Sequence, residues 1–355
     1  MGAGPRVARL ERAFVAYLGT DRMAVPLNSC TAGLFLSLKA CELEPGDEVI
    51  VPALTFCATV SAVLHAGGTP VLVDVEAATM NIDLAAAERA ITPRTRAILP
   101  VHFAGRPVEI AALVALARKH GLVVVEDAAH AVETLVDGQH AGTFGDFGCF
   151  SFYVTKSMTT AEGGMVVCRD PIAGDRVRRL ALHGMSADAW KRYSDAGFRH
   201  YDVVEPGFKM NLTDLQASLG IHQLARVEQS WPRRAAIWRR YDEAFAALPV
   251  TRPAPVAPGT RHALHLYTLL LDERVAGVGR DEFVTRMTAH NIGVGVHYRA
   301  ISDQTFFRDR YGDRSADVPH ATRIGRQTVS LPLTASLQDG DVDDVIEAVR
   351  RSIPS

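Results

Sequence analysis

The sequence predicts an α/β protein: a mostly parallel sheet between helices, followed by a smaller C-terminal α+β unit. Two observations carry that reading. Through the first two-thirds of the chain, short apolar runs alternate with helical patterns, and such alternation builds parallel strands joined by helical crossovers. Then a proline-rich stretch, Pro249 to Pro258, interrupts the chain, and the part beyond it carries its own strand-like run and helix. The division is drawn at 1–245 and 246–355, which suits the two domains that 355 residues suggest.

The elements follow in order. Asn28 to Ala32 (NSCTA) precede a helical pattern at Leu34 to Ala40. Glu48–Pro52, Pro70–Val75, Ala97–Val101 and Leu122–Glu126 are apolar runs of strand length. Between the last two, Ile110, Leu113, Val114 and Ala117 keep the i, i+3, i+4, i+7 spacing of a helix. Thr213 and Gln216 have capping-box spacing, so a helix is expected to start there. It leads into an arginine-rich segment, whose Arg226, Arg233, Arg234, Arg239 and Arg240 read as a solvated helix face. After the linker come the strand-like HLYTLLLD and a closing helix with Val342, Val345, Ile346 and Val349 on one side. Asp341, Asp343 and Asp344 near its start and Arg350 and Arg351 near its end suit the helix dipole.

Composition narrows the function classes. The 38 Lys and Arg against 40 Asp and Glu give a formal net charge of -2, which argues against nucleic acid or a membrane surface as partner. No apolar run reaches the ~20 residues of a membrane span. Cys30, Cys41, Cys57, Cys149 and Cys168 form no C-x-x-C pair. Neither a disulfide framework nor a cysteine zinc site is therefore expected, and a reducing cytoplasm is the simplest compartment.

Three short segments carry chemistry. Lys156 lies in FSFYVTKSMTTAEGG, a polar stretch between apolar ones, with Glu162-Gly163-Gly164 allowing a tight turn beside it. By itself it reads as a surface lysine. Pinned between core segments, its amine can be desolvated enough to act as a neutral nucleophile or base. Asp127, in VVVEDAAHA, stands at the carboxyl end of a buried strand, where open α/β sheets place ligands, and His130 follows three residues on. A helix N-cap is the competing reading for Asp127. In NSCTA, small hydroxyl residues open a helix, whose free N–H groups and dipole favour a phosphate; a plain N-cap is the competing reading there. No P-loop motif occurs, and no dinucleotide fingerprint follows an expected strand. A phosphate site, a strand-end aspartate and a loop lysine together point to pyridoxal 5'-phosphate (PLP). The lysine would hold its aldehyde, and the aspartate would keep its ring nitrogen protonated, making the ring an electron sink.

The sequence also resembles the fold type I, PLP-dependent sugar aminotransferases of the DegT–DnrJ–StrS family over nearly its whole length. The resemblance rests on NSCTAGLFLSLKA, PGDEVIVPALTFCATVSAV, PVHFAG, VVEDAAHA, GTFGDFGCFSFYVTKSMTTAEGG, LHGMSADAWKRYS and GFKMNLTDLQASLG. The LHGMS…AWKRYS and GFKMNLTD segments are most similar to the branch that includes UDP-4-amino-4-deoxy-L-arabinose synthase, which acts on 4-keto nucleotide sugars. The resemblance implies a large domain with a mostly parallel seven-stranded sheet, a smaller C-terminal domain, and a homodimer with shared active sites. It implies Lys156 as the Schiff-base lysine and proton shuttle, Asp127 on the ring nitrogen and His130 near the ring hydroxyl. Thr31, Ala32 and Ser151 would bind the phosphate, and Phe56 would stack on the ring. Asn211, or Lys209 in its place, would reach the phosphate from the partner subunit. His183, His297, Tyr298 and Arg299 are the candidates for the substrate side.

The implied donor is L-glutamate, and the implied acceptor is a nucleotide-linked keto-deoxysugar, with C4 the first choice. A 3-keto sugar or a keto-cyclitol is the alternative, and a non-catalytic PLP-binding regulator is the reading from another class. Ala161 stands where the family has Gly, so its backbone is expected to avoid positive φ. The family also carries further residues ahead of the segment matching GAGPRVARLE. Either the start lies upstream, the chain is trimmed, or the substrate side of the pocket differs.

Overall fold

The computed structural model describes residues 4–186 and 202–354. The chain opens with α1 (Pro5–Leu18), β1 (Met23–Leu27), α2 (Cys30–Ala40), β2 (Glu48–Pro52), α3 (Cys57–Ala66) and β3 (Thr69–Val73). It continues with α4 (Leu84–Arg89), β4 (Thr95–Ile98), α5 (Ile110–Lys119) and β5 (Val123–Asp127). Two short strands, β6 (Leu135–Val136) and β7 (Gln139–His140), precede β8 (Phe147–Ser151) and β9 (Gly164–Cys168). Helices α6 (Pro171–Leu180), α7 (Asp214–Leu224) and α8 (Val227–Ala244) follow. The C-terminal part holds β10 (Thr260–Arg261), β11 (Tyr267–Leu270), α9 (Glu273–Ala276), α10 (Arg280–Ala289), α11 (Thr305–Tyr311), α12 (Pro319–Gln327), β12 (Thr328–Leu331) and α13 (Asp339–Ser352).

The expected strands form, each within two or three residues of its apolar run. Seven strands make the large sheet in the order β1-β9-β8-β5-β4-β2-β3. Only β9 runs against the others, pairing antiparallel with β1 and β8, while β3, β2, β4, β5 and β8 pair parallel. The carboxyl ends of β1, β2, β4, β5 and β8 therefore share one edge.

Side chains alternate across this sheet, and both faces are covered. Val49, Val51 and Val125 pack with Leu34, Leu38 and Val60 of α2 and α3. Ile50, Ile98 and Val124 pack on the other face with Ile110, Leu113 and Val114 of α5. Truncating one of these fully buried side chains, such as Leu113→Ala, costs about 2–5 kcal/mol. The capping box at Thr213 and Gln216 starts α7 as expected.

The C-terminal core gathers β11, β12, α10 and α13, including Val342, Val345, Ile346 and Val349. It also takes Ile237, Trp238 and Tyr241 from α8 and Phe245 just past its end. The long helix thus joins the two parts, just ahead of the 245/246 division drawn from sequence.

Two expectations are corrected. Arg234 does not lie on a solvated face: it is buried, bonded to the buried Glu133 and to the Ala263 carbonyl. The period of α8 turns it inward while Arg226 and Arg239 stay exposed. Ala161 does take positive φ, at 67°. Its N–H is tied to Thr159 Oγ1 at 3.0 Å, and Thr160 Oγ1 donates to the Glu162 carbonyl at 2.7 Å, so the loop enforces the turn without a glycine.

Candidate active site

At the shared carboxyl edge of the sheet lies a cavity of about 420 Å³. Its wall includes Thr31, Phe56, Asp127, His130, Ser151, Lys156, His297 and Tyr298. Eight of the residues named from sequence are thereby brought together from segments far apart in the chain. The last two come from the C-terminal part, so the cavity lies between the two parts.

The anion end is built by α2. The helix begins at Cys30, earlier than its apolar pattern, because Ser29 caps it and accepts from the Ala32 N–H at 3.1 Å. Ser29, Cys30 and Thr31 stand at the wall, and Ala32 is buried behind them with its N–H committed to the cap. Gly164 allows the close approach here: a Cβ on it would sit 2.5 Å from the Ser29 carbonyl carbon. The helix start, the Thr31 hydroxyl and Ser151 form a cradle suited to a phosphate.

Asp127 ends β5 and is not a helix cap. Its Oδ1 accepts from the Ala129 N–H at 3.1 Å and its Oδ2 from Thr59 Oγ1 at 2.9 Å. Burial pushes its carboxyl above the usual range, against the pull of these bonds and of the Lys156 charge. A buried carboxylate with spare acceptor capacity fits a protonated ring nitrogen.

His130 carries a buried Nδ1 without a hydrogen-bond partner among the described residues. Its Nε2 lies 3.3 Å from Tyr298 Oη, and the half-buried His265 packs against its ring at 4.4 Å. Burial holds His130 and His265 well below the ordinary imidazole value, and the Lys156 charge adds to it, so both are neutral near pH 7. A neutral imidazole with a free nitrogen suits a ring oxygen.

Lys156 stands in the loop between β8 and β9. That loop is knitted by Lys156 N–H to the Tyr153 carbonyl, Phe152 N–H to Gly163, and Thr160 N–H to Phe152, each at 2.9 Å. Burial pulls the Lys156 amine below its usual value, which favours the neutral form that nucleophilic and base chemistry needs. Phe56, 52% exposed, presents a ring at the cavity and lies 5.7 Å from the Tyr298 ring. His297 donates to or accepts from Ser330 Oγ at 2.9 Å, and burial pulls it down to about 4.

Four residues named from sequence stand elsewhere. His183 is exposed, in the turn after α6, and does not line the cavity. Arg299 turns away to the Asp303 carbonyl. Asn211 is bridged to Leu27, with its side chain bonded to Lys209 and the Leu212 carbonyl, and neither Asn211 nor Lys209 lines the cavity of its own chain. The AWKRYS stretch lies outside the described residues. Sequence reading passed over Thr55, Thr59, Tyr153 and His265. Thr55 and Thr59 had a signal, two hydroxyls four residues apart in PALTFCAT.

A phosphate cradle, a stacking ring, an under-satisfied strand-end carboxylate and a desolvated lysine fit one cofactor. Fold and site define a fold type I, PLP-dependent aminotransferase. The chain belongs to the DegT/DnrJ/EryC1/StrS aminotransferase family, which it matches over residues 1–350. It is 47% identical over 351 residues to the spore coat polysaccharide biosynthesis protein SpsC of Bacillus subtilis, covering 99% of this chain and 90% of that one. Among solved structures it is similar to Spr1654 of Streptococcus pneumoniae, named as a sugar aminotransferase, in its PMP form. That match has a TM-score of 0.92 and 34% identity and covers 99% of this chain and 92% of the other. PseC of Helicobacter pylori, an aminotransferase involved in pseudoaminic acid biosynthesis, matches with TM-score 0.90 and 28% identity over 99% of this chain and 92% of its own. Among the described residues no helix is long and apolar enough to cross a membrane.

Proposed function

We propose that this sugar aminotransferase moves the amino group of L-glutamate to the C4 keto group of a nucleotide-linked deoxysugar, making an amino sugar for a surface glycan or natural product. The observation that carries the reading is Lys156 and Asp127 on the wall of one cavity at the sheet edge. The names of SpsC, Spr1654 and PseC support sugar chemistry. The choice of C4 rests on the LHGMS and GFKMNLTD segments, and glutamate on the family resemblance.

Bound PLP supplies the electron sink that makes the substrate's Cα–H acidic. Asp127 would hold the proton at the ring nitrogen, and His130, with its unpartnered buried Nδ1, would stand near the ring oxygen. Phe56 would cover one ring face, while the start of α2, Thr31 and Ser151 would hold the phosphate. Lys156 Nζ takes the Cα proton of the donor and, in the second half, delivers one to the carbon that becomes the amine centre. His297 and Tyr298 face the substrate side. Asn211 of a second copy completes the phosphate site, so the working unit is a homodimer.

The test is product analysis by mass spectrometry. PLP-loaded protein is incubated with L-glutamate and a panel of 4-keto and 3-keto nucleotide sugars and keto-cyclitols. The expected result is 2-oxoglutarate formed in step with a 4-amino sugar. Amination confined to a 3-keto sugar or a cyclitol would overturn the acceptor, and a donor other than glutamate would overturn that half.

A further inference from the structure

We propose that Thr59, braced by Thr55, is a positioning residue for the transamination, its hydroxyl fixing the orientation and charge of Asp127 toward the cofactor's ring nitrogen. Helix α3 opens with Phe56 as its N-cap residue and has no side-chain cap. The two hydroxyls flanking that start are therefore not spent on capping. Instead Thr59 Oγ1 donates to Asp127 Oδ2 at 2.9 Å, and the Thr55 and Thr59 hydroxyl oxygens lie 2.7 Å apart.

The direction of this chain follows from the acceptor. A carboxylate only accepts, so the single Thr59 proton goes to Asp127, and Thr55 must donate to Thr59. Thr55 and Thr59 are 1% and 0% exposed and Asp127 5%, so water does not compete for these bonds. Thr55 also reaches the cavity wall, so the hydroxyl chain runs from the ligand space to the carboxylate. With Oδ1 held by the Ala129 N–H, both oxygens of Asp127 are anchored from the protein side. The remaining acceptor capacity faces the ligand. Lys156, His102, Tyr298 and the Cys30 and Cys149 thiols are titratable groups near Asp127, and of these Lys156 and His102 favour its charged form against burial. Losing the Thr59 bond removes a donor that favours the carboxylate and frees the group to rotate.

The test uses PLP-loaded Thr59→Val, Thr59→Ser and Thr55→Val beside the wild type. The readouts are the pH titration of the bound cofactor's visible band, PLP affinity, and the rate of the first half-reaction with any amino donor that bleaches the wild-type band. These readouts depend on the cofactor and not on the acceptor, so failure here is separate from failure of the proposed function. Thr59→Val is expected to shift the spectral midpoint and slow the half-reaction about ten- to hundredfold, the worth of one hydrogen bond to a charged group. Thr59→Ser, which keeps the hydroxyl, restores both, and Thr55→Val shows a smaller change of the same sign. A wild-type spectrum and rate in Thr59→Val would overturn the proposal, as would Thr59→Ser impaired as much as Thr59→Val. If Thr59→Val fails to fold by circular dichroism, the other two decide: an unchanged Thr55→Val with an impaired Thr59→Ser overturns it.

Discussion

Adjacent on β5, Glu126 and Asp127 face opposite sides of the sheet, and the two sides treat a buried carboxylate differently. Glu126 accepts four bonds: His102 Nε2 at 2.9 Å, and the N–H groups of Gly142, Phe144 and Gly145 at 2.8, 2.8 and 2.6 Å. Burial raises its carboxyl, but these donors outweigh burial and hold it below the usual range. Asp127 accepts two bonds, and there burial wins. The α5 side thus uses its carboxylate as a closed structural knot that ties down the loop through Gly142 to Gly145. The α2–α3 side leaves capacity for a cationic ligand. An unfinished hydrogen-bond set next to a finished one supports the proposal that Asp127, and not Glu126, meets the ligand.

The largest effect is expected on the ligand side. Lys156→Ala should lower transamination by about 10²–10⁴-fold or more while the fold persists, read by turnover beside circular dichroism. Retained turnover would show that the unfinished side is not the chemical one.

Exchanging the charges separates the two acids. Glu126→Gln should destabilise the protein by about 1–3 kcal/mol, because buried N–H donors of Gly142, Phe144 and Gly145 lose part of their carboxylate acceptor, read by denaturant unfolding. Asp127→Asn should leave the cofactor-free protein as stable or more stable, because it removes a buried charge with few donors. Its turnover should fall about ten- to hundredfold. Equal stability losses in the two variants would break the comparison.

The pH dependence of the cofactor-free protein sharpens it. Glu126 contributes stability above its ordinary 4.5 that is lost as pH falls through its lowered value. The Asp127 penalty is present above its raised value and is relieved as pH falls through it. Buried histidines act at higher pH. His262 and His297 are pulled from 6.5 to about 3 and about 4, so the stability of their neutral forms is full above 6.5 and is lost as pH falls below it. Calorimetry should show a melting temperature that falls from pH 6.5 toward 4, less steeply in His262→Asn.

The smallest effect lies in the loop carrying Lys156. Ala161→Gly removes left-handed strain of about 1 kcal/mol, partly offset by the freer unfolded chain, so stability should change by less than about 1 kcal/mol. A rise in stability without loss of turnover would show that the strain is not part of the site.

These differences mirror what could be read from sequence. The strands, α5, α13 and the capping box were legible because each depends on local periodicity, as with Ile110, Leu113, Val114 and Ala117. Lys156, Asp127 and NSCTA were legible because sheet topology sends strand ends to one edge. Thr59 was missed because its partner is distant in the chain and only the fold brings them together. Arg234 was misread because composition cannot say which arginine of a run turns inward to Glu133. Ala161 was misread because hydrogen bonds from its neighbours override its own preference. His183 was chosen by motif alone, and the turn after α6 carries it away from the cavity.

The most direct test of the central claim is a PLP titration of cofactor-free wild type and Asp127→Asn, followed by the visible band. The account predicts that the variant binds PLP about ten- to hundredfold more weakly, with a shifted band. Equal affinity and an identical band would contradict it, because Asp127 would then not be the group held open for the ring nitrogen.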